Sequence, residues 1–151
     1  MHTVENILRT KDKPTNIIEP DTLVIEALQK LISVNLSYLV VFEKDEFKGI
    51  FSERDYTRKL VLQGRSSRET MVRDVMTTEL PRVKLSNSAE DCMYQMNTRG
   101  ARYVAAFDEN GFAGIITIHD LLREVLANKH EVFDSSLTSS LLDNDEGGKF
   151  F

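Results

Sequence analysis

Apolar residues along the chain alternate between helical spacing and short continuous runs. In "DTLVIEALQKLISVN" (21–35) they recur at helical intervals, which predicts a helix with one apolar face. That face carries Leu23, Ala27, Leu28, Leu31 and Ile32. The runs "YLVVFE" (38–43) and "FKGIFS" (47–52) are typical of buried strands, and the turn "EKDE" between them predicts a hairpin. "ERDYTRKLVLQ" (53–63) predicts a second helix that ends at Gly64.

The same succession of patterns returns in the second half of the chain. In order, it predicts a helix in 86–100, strands in 102–108 and 112–117, and a helix in 119–129. Short extended pieces around Asn16–Ile18 and Arg82–Lys84 precede the first helix of each half. Each half therefore predicts the order β-α-β-β-α.

The two halves are related by an internal repeat, because residues 20–60 align without a gap on residues 85–125. The identical pairs are Tyr38/Tyr103, Phe42/Phe107, Phe47/Phe112, Gly49/Gly114, Ile50/Ile115, Asp55/Asp120 and Arg58/Arg123. Upstream the register shifts by three, and "VENIL" (4–8) matches "VRDVM" (72–76). Two copies are too few for a solenoid, so we expect a duplicated α/β (α+β) unit. The expected divisions are a first repeat in 1–67, a second in 68–129 and a polar C-terminal tail in 130–151, in which "SSLTSSLL" leaves open a short covering helix.

Composition is that of an ordinary globular protein, with 151 residues of which 41% are hydrophobic and 28% charged. No apolar run approaches the roughly 18 residues that span a bilayer, and no signal peptide opens the chain, so we expect a cytoplasmic protein without a membrane partner. Cys92 is the only cysteine and the three histidines lie far apart, so we expect no metal site and no catalytic cofactor. The sequence shows no combination of a nucleophile with a general base, so we expect that the protein is not an enzyme.

The charge is negative overall but uneven along the chain. A net charge of −5 argues against nucleic acid as the main partner. Residues 54–73 nevertheless carry six cations against two acids. Such a run is either a solvated helix face or a surface that meets phosphate.

The two copies of one motif, "GIFSERD" (49–55) and "GIITIHD" (114–120), allow two interpretations. A Ser or Thr with an acidic residue three positions later is a capping box at a helix start. The same geometry suits a nucleotide, since the helix start and hydroxyl favour phosphate and the carboxylate can accept from both ribose hydroxyls. The glycine would let another backbone or ring approach closely. Two copies in register favour duplicated half-sites that also cap their helices.

The repeat and its two motifs resemble the cystathionine-β-synthase (CBS) domain pair, or Bateman module, over about residues 3–128. The stretch 49–77 looks most like small stand-alone CBS-pair proteins. The resemblance implies two repeats packed as a pseudo-twofold pair that binds AMP, ADP or ATP, sometimes NAD or S-adenosylmethionine, in the cleft between them. It also implies a sensor and not a catalyst, a homodimer, and a signal passed to a separate effector protein of unknown identity.

The resemblance also assigns roles to residues of this chain. The motif residues at the ribose and phosphate would be Ser52 with Asp55, and Thr117 with Asp120. Adenine would lie against Thr15–Ile17 with Tyr38–Val40 in one site, and against Met76, Thr77 and Val83 with Tyr103–Ala105 in the other. The phosphate candidates are Arg54, Arg99, Arg102, Ser66 and Ser67.

The sequence departs from the family's pattern at three places, which favours a second hypothesis. Tyr38 stands where a small residue is frequent, "RYVAA" (102–106) replaces a frequent "RHLPV", and His119 stands where a glycine is frequent. Tyr38 and Tyr103 can be core residues with the hydroxyl at the edge, and His119 an exposed helix residue. If they instead fill the pockets, the chain is a structural or dimerisation module with unoccupied nucleotide sites.

Overall fold

The computed structural model of the protein describes residues 2–11, 16–128, 137 and 139–141. The elements are α1 Val4–Thr10, β1 Ile17–Ile18, α2 Val24–Val34, β2 Tyr38–Glu43, β3 Glu46–Ser52, α3 Glu53–Asp55 continued by a π-helix Tyr56–Val61, a 3-10 turn Val72–Asp74, β4 Arg82–Lys84, α4 Ala89–Arg99, β5 Tyr103–Asp108, β6 Gly111–Thr117 and α5 Ile118–Ala127. The mixed α/β (α+β) class and the order β-α-β-β-α in each half are confirmed.

Each half forms a three-stranded sheet with the same topology. The strand orders are β1-β2-β3 and β4-β5-β6, with the first strand parallel to the second and the last two forming an antiparallel hairpin. The hairpins share their register, since Tyr38 faces Ser52 and Tyr103 faces Thr117. Both predicted hairpins are therefore confirmed, and each strand β3 or β6 delivers a motif hydroxyl to the start of the next helix.

The chain divides into two compact units, which we call the first unit (Lys13–Glu79) and the second unit (Met1–Asp12 with Leu80–Phe151). Each unit has its own apolar core. In the first unit the core includes Val24, Ala27, Leu31, Leu39, Val41, Phe51, Leu60, Val72 and Val75. In the second unit it includes Val4, Ile7, Val83, Ala89, Cys92, Met93, Met96, Val104, Ala106, Ile116, Ile118, Leu121 and Leu141. Continuous apolar strands and one helix face supply both cores, as the patterns indicate.

The segment in front of each sequence repeat packs in the other repeat's unit. In the second unit, Val4 N donates to Asn87 O at 2.9 Å. In the first unit, Val72 N donates to Thr22 O at 2.8 Å. These are equivalent bonds, because "VENIL" aligns with "VRDVM" and residue 22 aligns with residue 87. The repeats divide the chain by sequence, whereas the compact units divide it by packing.

The helix that follows the motif is wound differently in the two units. In the second unit, α5 runs regularly to Ala127. In the first unit, one α-turn gives way to a π-helix, and Leu62 N donates to Thr57 O at 3.2 Å. The hydroxyl of Thr57 also donates to Glu53 O, a side-chain bond that bends helices. The helix predicted over 53–63 is present over Glu53–Val61, but most of it is wound as a π-helix, and the chain turns at Gly64.

Helices α2 and α4 end alike, and one apolar residue of α2 points away from the core. Both helices stop at a left-handed residue, Asn35 with φ 53° and Gly100 with φ 61°. Ile32 was expected on the apolar face but is 81% exposed, while Leu31 beside it is buried. One residue along a helix is a rotation of about 100°, which takes Ile32 off the stripe.

Part of the expected tail packs on the second unit. Leu141 is 1% exposed and belongs to the apolar core of that unit, and Leu137 packs against this core. Both belong to the "SSLTSSLL" segment for which a short covering helix was left open, and the described residues 137 and 139–141 are helical. The rest of 129–151 lies outside the described residues.

Candidate functional site

Ser52 and Thr117 each close a complete capping box with the motif aspartate. Asp55 N donates to Ser52 Oγ at 3.2 Å, and Ser52 N donates to Asp55 Oδ2 at 3.0 Å. Asp120 N donates to Thr117 Oγ1 at 3.1 Å, and Thr117 N donates to Asp120 Oδ2 at 2.8 Å. All four side chains are buried. The capping-box interpretation of both motifs is confirmed, and it fixes two carboxylates inside the protein.

The carboxylate of Asp55 has three hydrogen-bond donors and one ion-pair partner. Oδ2 accepts from the backbone N–H and the hydroxyl of Ser52, the latter at 3.1 Å. Oδ1 accepts from Thr77 Oγ1 at 2.7 Å and forms an ion pair with Lys59 Nζ at 2.9 Å. A carboxylate offers about four lone-pair positions, so these contacts occupy most of its capacity. This pairing offsets the cost of keeping the charged group 4% exposed.

The carboxylate of Asp120 is held by two cations besides its cap. Lys11 Nζ donates to Oδ2 at 2.8 Å, and Arg123 donates to Oδ1. The lysine side chain is only 19% exposed, whereas that of Arg123 is 70% exposed. Lys11 also donates to Ile115 O at 2.7 Å, which pins it against strand β6.

Thr77 and Lys11 meet equivalent acceptors with different donors. In the first unit, Thr77 N donates to Ile50 O at 2.8 Å while the Thr77 hydroxyl donates to Asp55. In the second unit, one ammonium group of Lys11 reaches both Ile115 O and Asp120. Ile50 aligns with Ile115, and Asp55 aligns with Asp120. These acceptors therefore meet the neutral backbone N–H and hydroxyl of Thr77 in the first unit, and the positively charged ammonium group of Lys11 in the second.

The motif glycines allow the close approaches that the sequence suggested. A Cβ on Gly49 would lie 2.2 Å from Thr77 O, a backbone atom, so only glycine fits there. A Cβ on Gly114 would lie 2.8 Å from Leu8 Cδ2, the end of a flexible side chain. The segment that contacts the motif glycine is Thr77 in the first unit and Leu8 in the second. Its packing against the glycine is therefore tighter in the first unit.

The expected adenine contacts lie mainly on the strands around each motif. Tyr38, Val40, Val83 and Ala105 are buried, Tyr103 is partly buried, and Ile17 is 51% exposed. Val40 N donates to Asn16 O at 2.8 Å, and Ala105 N donates to Pro81 O at 2.9 Å, at equivalent positions of the repeats. Met76 and Thr77 were grouped with the second motif's strand, but both lie in the first unit, with Thr77 on Asp55. Thr15 lies outside the described residues.

The expected phosphate contacts are more scattered. Arg54 is partly buried next to Asp55. His119, which departs from the family's pattern and was not a phosphate candidate, is exposed next to Asp120. Arg102 is partly buried, and its carbonyl accepts from Ile118 N at 3.1 Å; Arg99 is exposed at the end of α4. Ser66 and Ser67 follow the π-helix. Ser66 lines an open polar cavity of about 370 Å³ together with Gly64, Arg65, Glu69, Thr70 and Asp74, a set that contains no motif residue.

Three cations of the basic run, Arg73, Arg65 and Lys59, have separate partners. Arg73 makes 2.8 Å contacts with Asp21 and Glu43, and hydrogen bonding to Asp21 is the main cause that raises the pKa of its guanidinium. Arg65 donates to Asp74 O at 3.3 Å. Lys59 reaches a motif carboxylate, Asp55, at 2.9 Å.

Sequence reasoning missed Lys11 and Lys59 as site residues. Lys59 stands in the basic run, so its charge was noticed but its position was not. Lys11 gave no signal, because it contacts Asp120 across 109 residues of sequence. Across the described part of the chain, no three or more His, Cys, Asp or Glu side chains are grouped to hold a metal ion, and no helix is long and apolar enough to cross a membrane.

Comparisons with known proteins find relatives that contain CBS domains. The chain is 29% identical over 138 residues to the CBS domain-containing protein CBSX3, mitochondrial, of Arabidopsis thaliana, covering 85% of this chain and 67% of that protein. A solved protein with CBS domains from Burkholderia ambifaria is 32% identical, with a TM-score of 0.78 over 87% of this chain and 99% of that one. A structure of CBSX2 in complex with AMP shares the fold at 23% identity and a TM-score of 0.66, over 85% and 99% of the two chains.

The family model agrees with the internal repeat. The model of the CBS domain matches twice, over residues 4–62 and 72–127, and both matches contain a complete Gly-to-Asp motif. The chain therefore belongs to the CBS-domain family, as a protein with two CBS domains in tandem.

Proposed function

We propose that the chain is a non-catalytic adenine-nucleotide sensor, in which each motif binds the ribose and phosphate of AMP, ADP, ATP or NAD. The observation that carries the proposal is the pair of buried carboxylates, Asp55 and Asp120, fixed in the same capping geometry at equivalent points of the repeats. A family member, CBSX2, has a structure in complex with AMP, which supports an adenine nucleotide as the ligand.

The chemistry of the motifs suits a ribose. A buried carboxylate accepts hydrogen bonds strongly in its low-dielectric surroundings, and two ribose hydroxyls can donate to it. The strand before each motif is apolar at positions proposed to contact the base, Val40 and Ala105. Cations near the carboxylates, Lys59 in one unit and Lys11 with Arg123 in the other, complement phosphate.

A sensor also needs an output. Ligand shifts a conformational balance only by its difference in affinity for the two states. We propose a homodimer as the responding assembly and a separate effector protein as its target, located in the cytoplasm.

Calorimetric titration of AMP, ADP, ATP and NAD tests the proposal. Asp55→Asn and Asp120→Asn should each weaken binding at one site by roughly tenfold or more, because a charge-assisted hydrogen bond is lost. Asp91→Asn is the matched control, since Asp91 closes the same kind of capping box in α4. Absence of binding by the wild type at millimolar ligand would overturn the proposal.

A structural or dimerisation module with unoccupied sites is the second candidate. The contacts that occupy the Asp55 carboxylate, three hydrogen bonds and one ion pair, favour it, because a ribose must displace one of them. Thermal unfolding separates the two functions. Nucleotide at about 100 times its dissociation constant adds roughly 2.7 kcal/mol to the stability of a binding protein and leaves a pure scaffold unchanged.

A further inference from the structure

Each motif carboxylate meets a cation from the helix that follows it, but the two cations are not the aligned pair. The sequence repeat aligns Arg58 with Arg123. In the second unit, Arg123 contacts Asp120 from position i+3. In the first unit, the contact to Asp55 comes from Lys59 at position i+4. The aligned arginine is exposed at its own position.

The residue types on each helix explain the exchange. On a helix surface the residues at i+3 and i+4 both lie beside residue i. The i+4 position holds Lys59 after Asp55 but the acid Glu124 after Asp120. In the second unit the cation therefore comes from i+3, where Arg123 stands.

Lys59 is also the partner that can most easily leave Asp55. The Ser52 N–H belongs to the capping box, and Thr77 is fixed by two backbone bonds to Ile50. The Lys59 side chain is 43% exposed, and its other contacts, to Met76 O at 3.3 Å and Thr77 Oγ1 at 3.2 Å, are long. A ribose hydroxyl that displaces this ammonium leaves it beside the bound sugar, within reach of the 5′-phosphate.

We propose that Lys59, and not Arg58, is the phosphate-binding and specificity-determining cation of the first motif, with Arg123 as its counterpart in the second. In the ligand-free protein Lys59 neutralises Asp55. When a ribose takes its place, the lysine pairs with phosphate, so the site favours phosphorylated nucleotides over the free nucleoside. This inference rests on the proposed function and specifies the ligand's charged end.

The test compares AMP with adenosine in Lys59→Met and Arg58→Met, two neighbouring substitutions that remove the same charge. Calorimetry is run on a background of Asp120→Asn, so that the first motif dominates, and circular dichroism checks folding. We expect Lys59→Met to weaken AMP binding about tenfold, as for a lost charge-assisted bond. Adenosine should bind it equally well or more tightly, because its ribose no longer competes with an ammonium group. Arg58→Met should keep the wild-type ratio of the two affinities.

The outcomes separate this inference from the proposed function. If AMP binds but Arg58→Met changes the AMP-to-adenosine ratio as much as Lys59→Met, or neither changes it, Lys59 has no special role and only this inference fails. If the Asp120→Asn protein binds neither ligand while the wild type binds AMP, the first motif is not a nucleotide-binding site and this inference fails. If the wild-type protein binds neither, the proposed function itself is overturned.

Discussion

Thr77 donates a 2.7 Å hydrogen bond through its hydroxyl to Oδ1 of Asp55, a buried carboxylate 22 residues earlier in the chain. Two backbone hydrogen bonds with Ile50, at 2.8 and 3.0 Å, hold Thr77 in place. The segment that begins the second sequence repeat thus completes the carboxylate site of the first. A substitution in this segment should therefore alter the hydrogen bonding of the Asp55 carboxylate.

Replacing Thr77 by valine should lower the free energy of unfolding by about 1–2 kcal/mol, because the carboxylate loses one of its donors and stays buried. Thr77→Ser keeps the hydroxyl and should retain most of the stability. Thr78→Val changes the exposed neighbour and should have an effect within about 0.5 kcal/mol. Urea denaturation gives the values, and equal losses in Thr77→Val and Thr78→Val would contradict the role of the hydroxyl.

Alanine at the two motif glycines should destabilise the protein unequally. At Gly49 the new Cβ would meet backbone Thr77 O at 2.2 Å, and we expect a loss of at least about 2 kcal/mol. At Gly114 it would meet Leu8 Cδ2 at 2.8 Å, which a rotamer change relieves, and we expect about 1 kcal/mol. Thermal unfolding of both variants checks the order, and a Gly114→Ala protein less stable than Gly49→Ala would reverse it.

Sequence predicted the parts of the molecule that local patterns determine. The hairpins, the helix faces and the capping boxes follow from spacing within a few residues, as the pairing of Tyr38 with Ser52 illustrates. The π-winding of Tyr56–Val61 does not change the apolar pattern, so periodicity could not reveal it. The contact of Lys11 with Asp120 depends on packing between distant segments, which no local pattern encodes.

Three capping serines and threonines allow the structural and ligand roles of the motifs to be separated. Ser52→Ala, Thr117→Ala and Ser88→Ala each remove one capping-box hydroxyl and should each cost about 1 kcal/mol of stability. Only the first two should also weaken nucleotide binding, because Ser88 caps α4 outside both motifs. Denaturation paired with calorimetry makes the comparison. If Ser88→Ala reduces affinity as much as the motif variants, the loss reflects stability alone.

Cys92 should behave as an inert core thiol whose ionisation opposes folding at high pH. It is buried in α4, and desolvation raises the pKa of its thiol from 9.0 to about 12. Below pH 9 the thiol is protonated in both the folded and the unfolded chain. Between pH 9 and about 12 only the unfolded chain releases the proton, so stability falls as pH rises, by up to about 1.4 kcal/mol per pH unit.

Two measurements check the behaviour of this thiol. At pH 8 a disulfide reagent such as DTNB should modify the native protein at least about a hundredfold more slowly than the urea-unfolded chain, because the thiolate is the reactive form. Urea titrations at pH 8 and pH 10 should show the loss of stability, and Cys92→Ala should reduce it, since the alanine side chain does not ionise. Modification of the native protein as fast as that of the unfolded chain would place the thiol at the surface and contradict its burial.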